Sequence, residues 1–508
     1  MGVVRKQGFY NSLFVYLSMF IGYINLLILM PSYFSEVQIG MTRSILAMAV
    51  FFAQIAELGS SSIMYRFFPF YKSHRARDFL TLVSVIPLLG FFIFCLVGFL
   101  FSGQLFGSYF KNSPELEKYL PLVFYLTFFT LVSAVGTNFC VVQLKTVFPK
   151  AINEFIPKVG NTILIILYAA RLIDFEAYFF WFCSLTTITA LSIWIYIWYL
   201  GELKYTAKIS KITKRMIRSI IKFGGVAILG SSFTAVISYI DTIMLGWLRG
   251  QAEVASFSIG YYLISIMSVP FTAIITVVIP LVSSAIRHKQ WGEVLRHYRQ
   301  TSLNNFIIGA FIFGLLLLIY PEMAGLTTKQ SMYSEALYVI LFLGVGRLLD
   351  MITGCNAEII VLSRHYMFNF YSIVIVSLLK ILLNLYFIRA YGVAGVAITG
   401  LVSLILFNAS RYWYIYHKLG IQPFTSQTPK AIALMMTCFV LAWIFLTYVR
   451  VDLVHHRYFT ALSQIIFKSL VWTIICVPPI IILKISPEVN SFYTLLKNKV
   501  LYAVTVRK

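Results

Sequence analysis

Charged side chains are scarce in this chain, and acidic ones are scarcer than basic ones. Only 12% of the 508 residues are charged, with 18 Asp and Glu against 41 Lys and Arg, whereas 60% are hydrophobic and the mean hydropathy is +0.85. This composition excludes a soluble multi-domain protein. A net charge of +23 would suggest nucleic-acid binding in a soluble protein. Here we attribute it to loop residues that set membrane topology and meet anionic lipid headgroups, so no nucleic-acid partner is expected.

Residues that carry metal, redox or nucleotide chemistry are also sparse. The six cysteines stand singly in apolar runs, without the spacing of a zinc site or a disulfide framework. No G-x-x-x-x-G-K-[ST] phosphate loop is present. Asp452, His455 and His456 are close in sequence but lack a further ligand at a metal spacing. The sequence therefore predicts no metal site, no cofactor and no built-in ATPase.

Long apolar runs fill most of the chain. Lipid leaves no partner for an unpaired backbone amide, so apolar runs of about 20 residues are membrane helices. The pattern predicts an all-α polytopic membrane protein with about fourteen transmembrane helices. They are expected at about 9–34, 43–65, 79–101, 119–143, 155–173, 178–200, 220–247, 254–285, 303–320, 334–361, 367–389, 394–416, 430–449 and 463–483. The first run is too long for the apolar core of a cleaved signal, so we expect it to stay as a helix.

One segment between these runs is strongly basic. From Gly201 to Lys222 it carries seven Lys and Arg residues, and a segment this basic cannot lie in hydrocarbon. The positive-inside rule places it in the cytoplasm. The other even-numbered connections share the bias, including Lys158, Arg411 and Lys418, with roughly 29 of the 41 basic residues inside and about 9 outside. Both chain termini are therefore expected in the cytoplasm.

The basic segment separates two parts that begin alike. From Gly40 to Arg66 is 26 residues, and from Gly260 to Arg287 is 27. Two six-helix halves joined by a cytoplasmic linker are typical of transporters, with the substrate site between the halves. The predicted organisation is an N-lobe over 1–203, a cationic cytoplasmic linker over 204–222, a pseudo-symmetric C-lobe over 223–418, and two further helices with a cytoplasmic tail over 419–508.

Several short stretches resemble one family of transporters. In the first half they are Glu36-x-x-x-Gly40, Ala56-Glu57-Leu58-Gly59 and Met64-Tyr65-Arg66-Phe67-Phe68, and in the second Asp241-x-x-Met244-Leu245-Gly246 and Ala255-x-x-Ser258-x-Gly260-Tyr261. Together with Pro270 and Pro280, they are similar to stretches of bacterial polysaccharide-unit flippases. Those belong to the multidrug/oligosaccharidyl-lipid/polysaccharide exporter superfamily. The resemblance covers about residues 5–415 and rests on pattern and layout.

This resemblance implies a function in surface polysaccharide assembly. It implies movement of undecaprenyl-pyrophosphate-linked oligosaccharide units across the bacterial inner membrane, for O-antigen, capsule or exopolysaccharide. The lobes would alternate access around a central cationic cavity. The implied partners are the lipid-linked oligosaccharide, the bilayer, H+ or Na+ as a coupling ion, and a polysaccharide polymerase with other assembly proteins.

Ionisable residues within the apolar runs are the candidate site, because a charge in hydrocarbon is costly unless it faces a cavity or a partner. Three cations would replace the hydration of the substrate pyrophosphate: Arg347, Lys380 and, at the cytoplasmic mouth, Arg66. Three carboxylates would bind the coupling ion: Glu57, Asp241 and Asp350. A structural interpretation stays open, in which Arg347 and Asp350, one helical turn apart, neutralise each other and Arg66 anchors the topology.

Two other functions stay open. A cation-coupled multidrug antiporter of the same superfamily would share this layout. A polytopic glycosyltransferase would need carboxylates on an early exterior loop, where only Glu36 stands, and a polymerase would carry a large exterior loop. The sequence therefore favours a transporter over an enzyme.

Overall fold

The computed structural model describes residues 14–73, 78–203, 205–206, 208–326, 329–449, 457–486, 488 and 490. Within these ranges the chain forms helices joined by turns, without a strand. In chain order the helices are α1 (Phe14–Tyr33), α2 (Glu36–Ala56), α3 (Ser60–Ser73), α4 (Phe79–Leu100), α5 (Leu120–Val142), α6 (Val147–Ala169), α7 (Phe175–Tyr199), α8 (Lys211–Arg249), α9 (Gln251–Arg287), α10 (Trp291–Gly325), α11 (Gln330–Ile352), α12 (Asn356–Leu362), α13 (Tyr366–Leu419), α14 (Gln427–Tyr448) and α15 (Arg457–Ile482). The expected start of the first helix at 9–13, the Asp452, His455 and His456 group, and the C-terminal tail lie outside the described residues.

The helices confirm an all-helical, multi-pass membrane protein. In the described part, eleven helices are long and apolar enough to cross a membrane, or twelve if the bent pair α11–α12 is one span. The fifth predicted helix corresponds to α6, which carries Lys150, Glu154 and Lys158 and is not among the eleven. Predicted helices 11 and 12 are joined in α13, which kinks at Gly392 (φ 54°, ψ −127°). The count of about fourteen spans therefore stays a prediction.

Contacts divide the chain into two compact units. Unit 1 comprises Met1–Ile259 and Ile381–Val393, and unit 2 comprises Gly260–Lys380 and Ala394–Lys508. These units are defined by contacts within the folded chain, whereas the lobes were predicted from an internal repeat in the sequence. The predicted lobe boundaries therefore stay predictions.

In unit 1, α2 packs against α5 and α8, and α7 packs against α5 and α6. The predicted second helix, over 43–65, is interrupted between α2 and α3. At this break Leu58 has φ 48° and Gly59 has φ 72°, the left-handed region that favours glycine. A Cβ on Gly59 would also lie 2.9 Å from the Ala227 Cβ of α8. The break thus depends on a glycine for both its backbone conformation and its packing.

In unit 2, α10 packs against α11, α14 and α15. The Trp472 side chain is fully buried, and its Nε1 donates to the Phe311 carbonyl at 2.9 Å. A Cβ on Gly314 would lie 2.7 Å from the Trp472 ring, so α10 and α15 approach closely there. Beside them lies a groove of about 260 Å³ between α10, α14 and α15, lined by apolar side chains and including Met435 and Phe439.

The basic linker ends in a helix that is capped and anchored. Ser210 caps α8 by accepting from the Thr213 N–H at 3.2 Å. Asp78, just before α4, accepts from the Ser210 N–H at 2.8 Å and from the Thr213 hydroxyl at 2.7 Å. Burial raises the pKa of the Asp78 carboxyl, but these hydrogen bonds outweigh it and hold that pKa below its ordinary value. The helix predicted to begin near residue 220 therefore begins at Lys211 and is tied to the start of α4.

We expect Asp78→Ala to destabilise unit 1 by about 1–3 kcal/mol, because buried donors on Ser210 and Thr213 lose their acceptor. The pKa of Asp78 is lower in the folded protein than in the unfolded chain. Its contribution to the free energy of unfolding is therefore complete above the ordinary carboxyl pKa and is lost as the pH falls through the folded pKa. Thermal unfolding of the detergent-solubilised protein between about pH 7 and about pH 3 measures this. Asp78→Asn keeps an acceptor oxygen without a titrating charge and should lose less stability. Equal acid sensitivity in Asp78→Asn and the parent would contradict the prediction.

Candidate functional site

An ion pair predicted on the tenth helix is present in unit 2. Arg347 Nη1 donates to Asp350 Oδ2 at 2.7 Å, one turn along α11. Its Nε and Nη2 donate to the Ser268 hydroxyl of α9 at 3.1 and 2.6 Å, and its guanidinium lies 5.7 Å from the Phe271 ring centroid. The Arg347 side chain keeps 28% of its surface exposed. The predicted pairing of Arg347 with Asp350 is therefore confirmed.

Asn408, on the second half of α13, holds this pair. Its Nδ2 donates to Asp350 Oδ1 at 3.0 Å, and its Oδ1 accepts from Thr353 Oγ1 and Asn356 Nδ2, each at 2.9 Å. Thr353 and Asn356 flank the connection between α11 and α12, so one buried amide ties the ion pair to that connection. Asn408 was not predicted as a site residue, because a single Asn in an apolar run has no spacing that predicts its partners.

The span that carries the ion pair is bent just after it. α11 and α12 meet at 51°, and the turn between them contains Gly354 with φ 61°. A Cβ on Gly354 would lie 2.8 Å from the Ser302 nitrogen of α10, and the Ser302 hydroxyl donates to the freed Ile352 carbonyl. The structure thus has a bent pair of helices where one continuous helix was predicted over 334–361.

Arg411 is a second guanidinium within unit 2, with only 7% of its surface exposed. Its Nη2 donates to Asn369 Oδ1 at 2.7 Å, and the group stacks 3.5 Å from the Phe407 ring centroid. It also interacts electrostatically with Asp350 and Glu358. Arg411 was predicted to flank a basic loop, because a cation near a helix end is typical of a residue that sets membrane topology.

In unit 1, Glu57 lies at the break between α2 and α3. Its Oε1 accepts from the Ser61 backbone N–H at 2.9 Å and from the Ser61 hydroxyl. A carboxylate at a helix N-terminus is stabilised by the helix dipole. Asn138 Nδ2 donates to the same hydroxyl, and Asn138 Oδ1 accepts from Tyr65 at 2.7 Å. Glu57 is thus the acceptor end of a chain of four polar side chains.

Asp241 and Lys380 are both buried, with 7% and 6% of their surfaces exposed. On α8, Asp241 Oδ1 accepts from Asn384 Nδ2 at 2.9 Å. Lys380 lies on α13 four residues before Asn384 and therefore on the same helix face. Exposing a charged side chain to lipid is energetically costly, and the burial of both residues within the protein agrees with this.

Arg66 is exposed on α3, in contrast to the other two predicted substrate cations. Its guanidinium lies 4.4 Å from the Phe223 ring centroid on α8, a cation–π contact, and 5.8 Å from that of Phe67. The structure therefore brings Arg347 and Asp350 together, whereas Arg66 and Glu57 are held by other residues of unit 1.

A polar cluster between α1 and α6 was not predicted. Lys158 Nζ donates to Glu154 Oε2 at 2.7 Å and to Ser18 Oγ at 3.1 Å. Asn25 Nδ2 donates to the Lys158 carbonyl at 2.8 Å, and Asn25 Oδ1 accepts from Thr162 Oγ1 at 2.8 Å. Asn25 also begins a π-helical segment, Asn25–Leu29. Lys158 was assigned to the flank of the turn after the fourth predicted helix, near the start of the fifth at 155–173. Because α6 begins at Val147, Lys158 lies well inside the helix.

These groups suit the binding of ions more than covalent chemistry. A guanidinium can bind a phosphate in bidentate fashion, and a buried carboxylate favours a cationic partner or a proton. In the part of the chain that the structure describes, no three His, Cys, Asp or Glu side chains are grouped to hold a metal ion. The fold and these charges are those of a multi-pass membrane protein with ionisable groups inside its helices.

The polysaccharide biosynthesis protein family matches residues 4–286, more than half of the chain. This chain belongs to that family, which lies within the multidrug/oligosaccharidyl-lipid/polysaccharide exporter superfamily. The family is one of transporters and is generally non-enzymatic. The MatE family matches residues 227–386. The resemblance stated from sequence is confirmed.

Three solved structures are similar over most of the chain. The lipid II flippase MurJ in an inward closed conformation has a TM-score of 0.67 at 16% identity, covering 92% of this chain and 97% of that chain. An inward-facing multidrug resistance transporter of the MATE family has a TM-score of 0.61 at 13% identity, covering 80% and 94%. A mutant of the Vibrio cholerae MATE transporter VcmN has a TM-score of 0.52 at 16% identity, covering 82% and 97%. At such identities the likeness shows the fold alone. None of the curated proteins matches the chain.

We expect Asn408→Ala to destabilise the protein by about 2–3 kcal/mol, because Asp350, Thr353 and Asn356 each lose a buried partner. Thermal unfolding in detergent, followed by intrinsic fluorescence, measures the change. Ser410→Ala is the matched control, since Ser410 bonds only to the Phe407 carbonyl of its own helix among the described residues, and it should cost less than about 0.5 kcal/mol. A similar small loss in Asn408→Ala would show that Asn408 does not hold the ion pair.

Proposed function

We propose that this protein moves undecaprenyl-pyrophosphate-linked oligosaccharide units from the inner to the outer leaflet of the bacterial inner membrane. The units would serve O-antigen, capsule or exopolysaccharide assembly. The observation that carries the proposal is the match of the polysaccharide biosynthesis protein family over residues 4–286. The fold shared with a lipid II flippase supports the same conclusion.

Such a substrate has an apolar tail, a charged pyrophosphate and a hydroxyl-rich glycan, and each part needs a different environment. The groove of about 260 Å³ in unit 2 is apolar and suits part of a polyprenyl chain. Arg347, Lys380 and Arg66 would bind the pyrophosphate in place of water. The partial exposure of the Arg347 side chain supports its role.

Transport would proceed by alternating access of two six-helix lobes around a cationic cavity, with the last pair of about fourteen helices beside them. Glu57, Asp241 and Asp350 would bind H+ or Na+ as the coupling ion, because a carboxylate in a water-poor environment favours the binding of a cation. The amide of Asn384 on Asp241 and the amide of Asn408 on Asp350 would orient the two carboxylates. A polysaccharide polymerase and other assembly proteins would take over the exported unit.

The charge bias predicts cytoplasmic termini, and single cysteines can test it in living cells. A cysteine at exposed Ser102, before α5, should react with a membrane-impermeant maleimide in intact cells. A cysteine at exposed His288, after α9, should react only after the membrane is opened. Both variants should be built without Cys95, because it is the only partly exposed cysteine in the part of the chain that the structure describes. The reverse pattern would invert the proposed orientation.

Deletion of the gene in its host, with analysis of surface glycan and lipid-linked intermediates, tests the function. We expect loss of the surface polymer and accumulation of single lipid-linked units on the inner leaflet. An unchanged polymer would contradict the proposal. A polymer lost while units still reach the outer leaflet would favour a polymerase.

Complementation of the deletion then tests the site. Arg347→Ala should slow export by about 10–100-fold, since it removes charge-assisted hydrogen bonds, and Arg347→Lys should restore only part of the rate. Arg296→Ala is the matched control, because Arg296 also forms an ion pair one turn along its helix, with exposed Glu293. Export at the parent rate by Arg347→Ala would exclude Arg347 from the substrate site.

A cation-coupled multidrug antiporter is the second candidate function. The match of the MatE family to residues 227–386 and the shared fold with MATE transporters favour it. It predicts that the deletion leaves the surface glycan intact and changes sensitivity to small cationic toxins.

A further inference from the structure

One end of unit 1 carries an open groove that the proposed mechanism does not use. Its volume is about 580 Å³, within the range of about 300–1,000 Å³ found for ligand sites. The start of α2, the 3₁₀ turn Pro114–Tyr119 before α5, and the start of α7 form its walls. Since α7 runs from this groove to the basic linker, the groove lies at the end of unit 1 opposite the linker.

Two carboxylates stand at the rim of the groove. Glu115 and Glu117 lie on the 3₁₀ turn, and both are exposed. Lys118, next to Glu117 in sequence, also lines the groove, but its charge is paired with that of Glu176. Within the described residues neither Glu115 nor Glu117 has an ion pair, in a chain with only 18 acidic residues in all. Such carboxylates can each accept hydrogen bonds from two neighbouring hydroxyl groups.

Aromatic rings form another wall. Tyr119 packs against Phe179 with centroids 4.6 Å apart, and Phe175 packs against Phe179 at 5.6 Å. Phe34 lies behind them, 6.0 Å from Phe175 and 4.6 Å from Tyr178. This packing holds Phe175 and Tyr119 in place, and the half-buried Phe175 ring keeps part of its surface open. A fixed aromatic surface can pack against the C–H face of a sugar ring without an ordering cost of its own.

The two carboxylates and the aromatic wall together favour one class of ligand. Free carboxylates repel phosphate, anionic lipid and acidic sugars, and an apolar chain gains nothing from them. A neutral, hydroxyl-rich sugar matches both walls. We propose that this groove binds neutral sugar residues of the exported oligosaccharide at the outer face of the protein. This inference rests on the proposed function and adds a glycan subsite to it.

Binding to the purified full-length protein in nanodiscs tests the subsite. The probes are neutral and acidic oligosaccharide fragments prepared from the host's own surface polymer, and the readout is the dissociation constant by calorimetry. The double variant Glu115→Gln with Glu117→Gln, and separately Phe175→Leu, should each weaken binding of the neutral fragments by about tenfold or more. Glu335→Gln, at an exposed glutamate of unit 2, is the control and should stay within about twofold of the parent.

Unchanged binding in both groove variants, or a preference for acidic fragments, would overturn the proposal. Phe175→Tyr keeps an aromatic surface and should bind as the parent does, which separates loss of stacking from misfolding. The deletion experiment keeps the two proposals distinguishable. If the deletion leaves the polymer intact while the groove still binds neutral sugar, the export function fails and the subsite stands. If the deletion abolishes export and the groove variants bind normally, the subsite fails alone.

Discussion

Hydrocarbon offers no hydrogen-bond partner, and this constraint governs every polar group placed inside the helices of this protein. Among the described helices, the spans α2–α3 and α11–α12 are broken, and each break frees backbone groups that must be paired again. At the first break Glu57 accepts from the Ser61 N–H. At the second, the Ser302 hydroxyl donates to the Ile352 carbonyl. At each break, a side chain of the same unit thus pairs one backbone group.

The breaks also determine where charge can be placed. In a continuous apolar helix, a carboxylate would face lipid or an apolar side chain of a neighbouring helix. At the breaks, polar side chains are present instead: Ser61 at the first, and Thr353 and Asn356 at the second. Glu57 lies at one break, and the Arg347–Asp350 pair is joined to the other through Asn408. At the first break the ionisable group itself pairs the backbone, whereas at the second Ser302 pairs the backbone and Asn408 orients Asp350.

Much of the fold followed from the sequence, because apolar runs of membrane length and the distribution of Lys and Arg are independent of tertiary contacts. The helical class and the family were predicted correctly. Arg347 and Asp350 were paired correctly because helical spacing determines neighbours within one turn. Asn408 and the burial of Arg411 were missed, since both depend on contacts between helices distant in sequence. The breaks were not predicted, because single glycines such as Gly354 are common in membrane helices. Whether such a glycine adopts a positive φ cannot be read from the sequence.

The anchored start of α8 bears on how the protein can be divided. A basic segment between two halves suggests a free tether that could be cut anywhere and expressed as two chains. Asp78 instead joins Ser210 and Thr213 to the first half, and the helix continues from Lys211 without interruption into the membrane-length part of α8. A division that preserves both fragments must fall before Ser210. A cut a few residues later would leave the cap on one polypeptide and its helix on the other.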